Sequence, residues 1–413
     1  MPDLVKPFAA LRPRAERAAD VIAPPYDVVS TEEARALVRD RPASFLHISR
    51  PEIDLAPGIS PYADEVYARG AANLQHLRES RVLVRESRPA YYVYRMAAGD
   101  RAQTGIACVA SVTAYEANRV RRHELTRPDK ENDRVRNIAT LNAQTGPVLC
   151  AYRANDLLRS LVNTCSAGQP TLEAVGPNEV LHTVWCVSEA SDIQHISTAL
   201  NSLDALYIAD GHHRAAAAAR VARDRSTGDG VMSDDSSQYF LAVAFPHDEM
   251  RILDYNRIVR DTHGLSVSDL LERVRESFEI EPSAAPVAPA EPETFGMFIA
   301  DRWYRLRIHT ARVPRNDPVA SLDVSLLQDR LLAPILGIGD PRIDPRIDFV
   351  GGIRGLGELE QRVRSGAAAV AFSLHPTRME QLMAVADAGR LMPPKSTWFE
   401  PKLADGLLAH VLD

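Results

Sequence analysis

The run Leu206-Tyr207-Ile208-Ala209-Asp210-Gly211-His212-His213-Arg214 changes character at a single dipeptide. Before Asp210 it is apolar; after Gly211 come two imidazoles, a guanidinium and five alanines, Ala215 to Ala219. That pattern predicts a buried strand, a sharp turn and a helix. The first N–H groups of a helix lack intrahelical partners and lie at the positive end of its dipole, so this helix mouth suits an anion. Gly211 leaves the backbone open to a ligand, and the fork of Arg214 matches phosphate oxygens. The structural alternative is an Asp210 N-cap on an Ala-rich helix packed against a sheet. His212 and His213 are neighbours, pointing about 100° apart on a helix, so they are no chelating pair. No residue set is assigned as a metal-ligand set.

The densest polar cluster runs from Arg121 to Arg134 and includes Arg122, His123, Glu124, Thr126, Asp129 and Lys130. A solvated charged loop is one reading. The other is catalytic: Glu124 or Asp129 could accept a proton, and cations in the same run could offset charge on a transferred phosphoryl group. Two proline-stiffened segments complete the candidates. Pro24-Pro25 holds Tyr26 and Asp27 in extended backbone, as a turn or as a pocket wall. Pro393-Pro394 precedes Lys395, Ser396 and Thr397 in a strap packed by Trp398 and Phe399. Only four of the 48 basic residues are lysine: Lys6, Lys130, Lys395 and Lys402. Where Arg is the default cation, a retained Lys is a candidate point-charge phosphate ligand.

These residues need a framework, and the chain can build one. It has 413 residues, 45% hydrophobic and 25% charged, with a net charge of −7 and mixed signs throughout, so no nucleic-acid track is expected. Cys108, Cys150, Cys165 and Cys186 show no C-x-x-C spacing, which favours reduced thiols and a cytoplasmic setting. No apolar run reaches membrane-spanning length, and the first twenty residues are too polar for a secretory signal. Strands are expected at 90–96 and 105–113 as a hairpin, and at 180–187, 239–245 and 368–374, with another hairpin over 294–308. Helices are expected at 31–39, 63–79, 212–223, 266–278, 324–332 and 377–388. The Pro/Ala-rich stretch 281–293 reads as a linker between an N-terminal region, 1–280, and a C-terminal lobe, 294–413. The fold class is α+β, a mixed α/β arrangement. No phosphate loop, kinase signature set or H-E-x-x-H is present, and Gly351-Gly352-Ile353-Arg354-Gly355-Leu356-Gly357 has the wrong spacing for a dinucleotide turn.

Four segments in order, Pro24-Pro25-Tyr26-Asp27-Val28, Arg122-His123-Glu124 through Asp133-Arg134, Ala209 through Arg214, and Pro393 through Thr397, resemble the bacterial and archaeal domain-of-unknown-function family 1015. The Asp-Gly-His-His-Arg turn is also similar to the Asp-Gly-His-Thr-Arg element of free serine kinases in the ParB/sulfiredoxin superfamily. That resemblance implies a ParB/sulfiredoxin-like nucleotide-binding core with an added C-terminal lobe. It further implies phosphoryl transfer from ATP or ADP to the hydroxyl of a free metabolite, L-serine first. Gly211, His212, His213, Arg214 and Lys130 would hold the nucleotide. Glu124, Asp210 and His212 would act at the reacting centre, with Asp27 as rival base and Mg²⁺ between phosphates. Tyr26, Asp27, Arg122, His123, Lys395 and Ser396 would face the acceptor. Those kinases carry a catalytic Glu in an N-terminal segment that does not align residue by residue with this chain, which leaves the general base open. A non-catalytic nucleotide-binding regulator of the ParB-like superfamily is the alternative.

Overall fold

The structure is a computed structural model that describes residues 3–226 and 236–413. It divides into two units, 1–250 with 401–413, and 251–400.

The first unit is organised by a mixed nine-stranded sheet. Its order is Val120–Arg121, Leu206–Asp210, Val148–Tyr152, Tyr239–Pro246, Arg101–Ser111, Tyr91–Ala98, Leu181–Val187 and Leu172–Val175, and Val5–Lys6 joins beside Arg101–Ser111. The expected hairpin forms between Tyr91–Ala98 and Arg101–Ser111, in the register Tyr92 opposite Ala107. Alternating and continuous apolar runs bury Tyr91, Val93, Ile106, Cys108, Ala242 and Ala244 in one core with Leu206 and Ile208. Helix His212–Ser226 lies against this core through Ala215, Ala217, Ala218, Ala219 and Ala222. Their small side chains let the helix approach closely, and larger ones would overpack by about 1–3 kcal/mol each.

Helix Pro128–Leu141 begins inside the charged run. Pro128 sits in its first turn, where a missing N–H costs nothing, and Asp129 and Glu131 face the positive helix end. Half of the expected charged loop is therefore helical. The face it buries is Asp133, Asn137, Ile138 and Leu141, at helical spacing but half polar.

The second unit holds a six-stranded sheet of antiparallel pairs in the order Phe278–Ser283, Arg302–Ile308, Thr294–Ile299, Val370–Leu374, Tyr255–Val259 and Ile347–Gly351. The stretch 281–293, expected as a linker, belongs to this unit. Its first residues pair with Arg302–Ile308, and Pro282 is tolerated because that strand is at the sheet edge. Val287 is buried, and its carbonyl accepts from Ser373 Oγ at 2.6 Å. The division falls instead at 250/251 and 400/401, and residues 401–413 return to the first unit. The expected helix over 324–332 is one α-turn, Asp323–Leu327, widening to a π-turn at Gln328–Leu332.

Among the described residues, no helix is long and apolar enough to cross a membrane. The four cysteines are unbridged.

Candidate functional site

The strand Leu206–Asp210 ends at Gly211, which has φ +98°, and helix His212–Ser226 starts on the next residue. The strand-turn-helix expected from the sequence is present. What lies over the glycine differs from the expectation. A Cβ on Gly211 would come within 2.9 Å of Arg214 Nε, so the guanidinium of the same turn fills the space a ligand was expected to take.

Arg214 is held there from several sides. Its Nη1 donates to the Pro147 carbonyl at 2.6 Å, and its Nη2 is 3.7 Å from Asp210 Oδ2. Lys402 Nζ reaches the same carboxylate oxygen at 3.3 Å. Burial pushes the Asp210 carboxyl up, but Lys402 and Arg214 outweigh it and hold the group ionised, well below the usual carboxylate range. Asp210 is thus committed to two cations, not free to orient a metal or substrate as expected.

Arg214 also lines a narrow cleft. Arg134, Tyr26, Asn137, Gly146 and Asp405 share its wall. Arg134 is 12% exposed, bonded to Asp133 Oδ2 at 2.6 Å, and stacked over the Tyr26 ring at 3.9 Å. Tyr67 Oη donates to Asp133 Oδ1 at 2.7 Å, so both carboxylate oxygens accept a hydrogen bond. Burial pushes the Tyr26 hydroxyl up to about 12, so it stays protonated. Gly146 packs closely on Arg214 and Asp405: a Cβ there would lie 3.2 Å from Arg214 Cδ, a tight contact, and 3.5 Å from Asp405 Oδ1, an ordinary one.

Asp405 is the least expected member. A reciprocal backbone pair with Ala23, at 3.0 and 3.1 Å, docks it against the Pro24-Pro25-Tyr26-Asp27 turn. It is buried, its Oδ1 has no hydrogen-bond partner, and burial raises its carboxyl to about 7 against the pull of Arg214. Asp27 is exposed, and its charge is felt at Arg214, His213, Tyr26 and Asp405.

The remaining expected residues separate from this cleft. His213 Nε2 accepts the backbone N–H of Arg127 at 2.9 Å, fastening the start of helix Pro128–Leu141 instead of cradling phosphate. Lys130 is exposed and donates to Tyr62 Oη at 2.9 Å, so it does not line the cleft. Arg122 is exposed and lies over the Tyr115 ring at 5.2 Å. His123, Glu124 and His212 form their own group. The two rings meet edge to face with centroids 4.5 Å apart, and His212 Nδ1 is 4.0 Å from Glu124 Oε2. Burial lowers His123 to about 4 and His212 well below its ordinary value, so both imidazoles are neutral at pH 7. Lys395 and Ser396 belong to the second unit. There Lys395 lies over the Tyr255 ring at 5.6 Å, and Ser396 Oγ donates to the Pro393 carbonyl at 2.6 Å.

The sequence reading passed over Arg134 as a site residue and did not find Asn137, Gly146 or Asp405. Lys402 carried one signal, its rarity in an Arg-rich chain. Arg134 stood in the polar run and in a family-like segment, whereas Asn137, Gly146 and Asp405 carried no signal; Asp405 reaches the cleft only through the fold-back of the last thirteen residues.

Among solved structures, the chain is similar to a free serine kinase in complex with AMP (10% identity, TM-score 0.35, covering 70% of this chain and 86% of that one). It is also similar to SbnI with a C-terminal truncation from Staphylococcus aureus (10%, 0.37, 72% and 85%). A third is a conserved hypothetical protein from Pyrococcus furiosus (12%, 0.35, 73% and 93%). At these TM-scores the likenesses carry no argument, and function rests on the chain's own residues. No curated protein matches the sequence. The family described as "Protein of unknown function (DUF1015)" matches residues 5–325, which takes in the strand-turn-helix and most of the cleft wall; the chain belongs to that family.

Proposed function

We propose that the protein is a phosphotransferase that binds ATP or ADP by its phosphates and transfers a phosphoryl group to the hydroxyl of a small metabolite, with free L-serine as the first candidate. On this reading the first unit is a ParB/sulfiredoxin-like nucleotide-binding core. One observation carries the proposal: two nearly buried guanidiniums, Arg134 and Arg214, share the wall of one cleft at a helix start. Desolvated, pre-oriented Arg forks fit phosphate oxygens, and a small cleft is the environment in which such contacts are strong. The rest of the wall fits the same ligand. Tyr26 and Asn137 offer neutral polar groups, and Asp405, protonated below about pH 7, can lie beside a phosphate without repelling it.

Phosphoryl transfer asks little covalent chemistry of a protein; it asks for alignment and charge compensation. Arg134 and Arg214 would supply the compensation. The proton on the acceptor hydroxyl needs a carboxylate near the cleft mouth. Neither Asp27 nor Glu124 lines the cleft itself; Asp27 takes that role because it is exposed, directly follows the wall residue Tyr26, and acts electrostatically on Arg214 and Asp405. The expected Mg²⁺ finds no ready cradle among these residues: Asp210 is paired with Lys402 and Arg214, Asp405 keeps its proton below about pH 7, and Asp27 is one carboxylate alone.

The test is a screen of the purified protein with ATP or ADP and free hydroxy amino acids, followed by phosphorus NMR. A new phosphomonoester signal supports the reading. Nucleotide binding without turnover for any acceptor would instead make the protein a nucleotide-binding regulator.

A further inference from the structure

His123, Glu124 and His212 each offer one donor atom, and the three atoms lie within 4.8 Å of one another. We infer that this trio binds a divalent transition metal of the Zn²⁺ class, in a site separate from the phosphate cleft and independent of the proposed kinase activity.

The strongest support is His123. It is 2% exposed, and neither ring nitrogen has a hydrogen-bond partner. A buried imidazole with two unsatisfied nitrogens is costly and calls for an occupant. The Ile208 carbonyl lies near the ring without closing a hydrogen bond. With a metal on one ring nitrogen, the other would have such a carbonyl at hand, the kind of acceptor that metal-bound histidines generally use. His212 meets the His123 ring at 90°, and its Nε2 accepts the His123 amide only at 3.4 Å, a contact too long to fix the ring.

The donor set selects the ion. Two neutral imidazoles and one carboxylate suit Zn²⁺ and its neighbours, whereas Mg²⁺ and Ca²⁺ take oxygen. Bonds of about 2.0–2.2 Å require the donors to close in from their present spacing. Glu124, with its side chain 48% exposed, can make that movement. Its exposure also leaves the remaining coordination positions to water, which is the pattern of an open three-ligand site.

The test uses the full-length protein and bare metal ions. Equilibrium dialysis should find one Zn²⁺ or Co²⁺ per chain, and bound Co²⁺ should give a visible absorption band of low-coordinate type. Glu124→Gln and His123→Gln should each weaken binding at least tenfold, while excess Mg²⁺ should not compete. Circular dichroism checks the fold of the His123 variant; if it does not fold, the exposed Glu124 variant decides. No uptake by the parent chain, or equal uptake by parent and Glu124→Gln, overturns the site. ADP affinity measured on the same samples keeps the two proposals apart, since either can fail with the other intact.

Discussion

Lys402 Nζ and Asp210 Oδ2 stand 3.3 Å apart although 192 positions separate them in the chain. The contact ties the final segment to the turn that starts helix His212–Ser226, and with Arg214 it sets the charge of the helix mouth. Removing the lysine leaves a largely desolvated carboxylate with one cation at 3.7 Å. Lys402→Ala should therefore cost about 1–2 kcal/mol in urea unfolding. Asp210→Asn in that background should recover part of the loss, a coupling a double-mutant cycle would measure.

Arg214→Ala should weaken ADP binding at least tenfold by calorimetry, since a charge-assisted contact of about 1.5–3 kcal/mol is lost. Arg214→Lys should not restore it, because an ammonium cannot present the planar fork. Unchanged affinity in both variants would place the phosphate site elsewhere.

Asp27→Asn should leave ADP affinity within about twofold and lower kcat by about 100-fold or more, the scale of a lost general base. Turnover at the parent rate would remove Asp27 from the mechanism and return attention to Glu124.

Nucleotide affinity should fall as pH rises through about 7. Burial raises the Asp405 carboxyl to that value, so below it the group is neutral, and above it a negative charge sits beside Arg214 and competes with phosphate. The same shift affects stability. Between the ordinary carboxylate value of 3.8 and about 7 the folded chain keeps a proton that the unfolded chain has released, so stability from this group falls as pH rises through that window. Asp405→Asn should flatten both profiles; a parallel decline in parent and variant would exclude Asp405 as the source.

Gly211→Ala should destabilise by more than about 1 kcal/mol, because φ +98° is unfavourable for a residue with a side chain and the new Cβ would displace Arg214. Thermal melting gives the stability effect, and ADP binding shows whether Arg214 has moved.

Local pattern was enough to find the strand-turn-helix at Asp210-Gly211, the hairpin of Tyr91–Ala98 with Arg101–Ser111, and the helices Thr31–Val38 and Asp64–Glu79. Each is written in residues a few positions apart: an apolar period, a capping Ser30, a glycine where the backbone must turn. The Pro/Ala-rich stretch misled for a related reason. Composition reports how a segment behaves alone, whereas Phe278–Ser283 is held by a partner strand and Val287 by the core of its unit.

By itself, then, the sequence determined the element types, the helix mouth with its Arg214, and the presence of His123 and Glu124 in a polar run. Only the tertiary structure decided which of these meet. It turned His213 and Lys130 to structural partners, set His123 against His212, and brought Lys402 and Asp405 back to the first unit. The physical reason is range: turns and periodicity come from backbone sterics within a few residues, while contacts across the chain follow from strand register and core packing, for which one sequence holds no local sign.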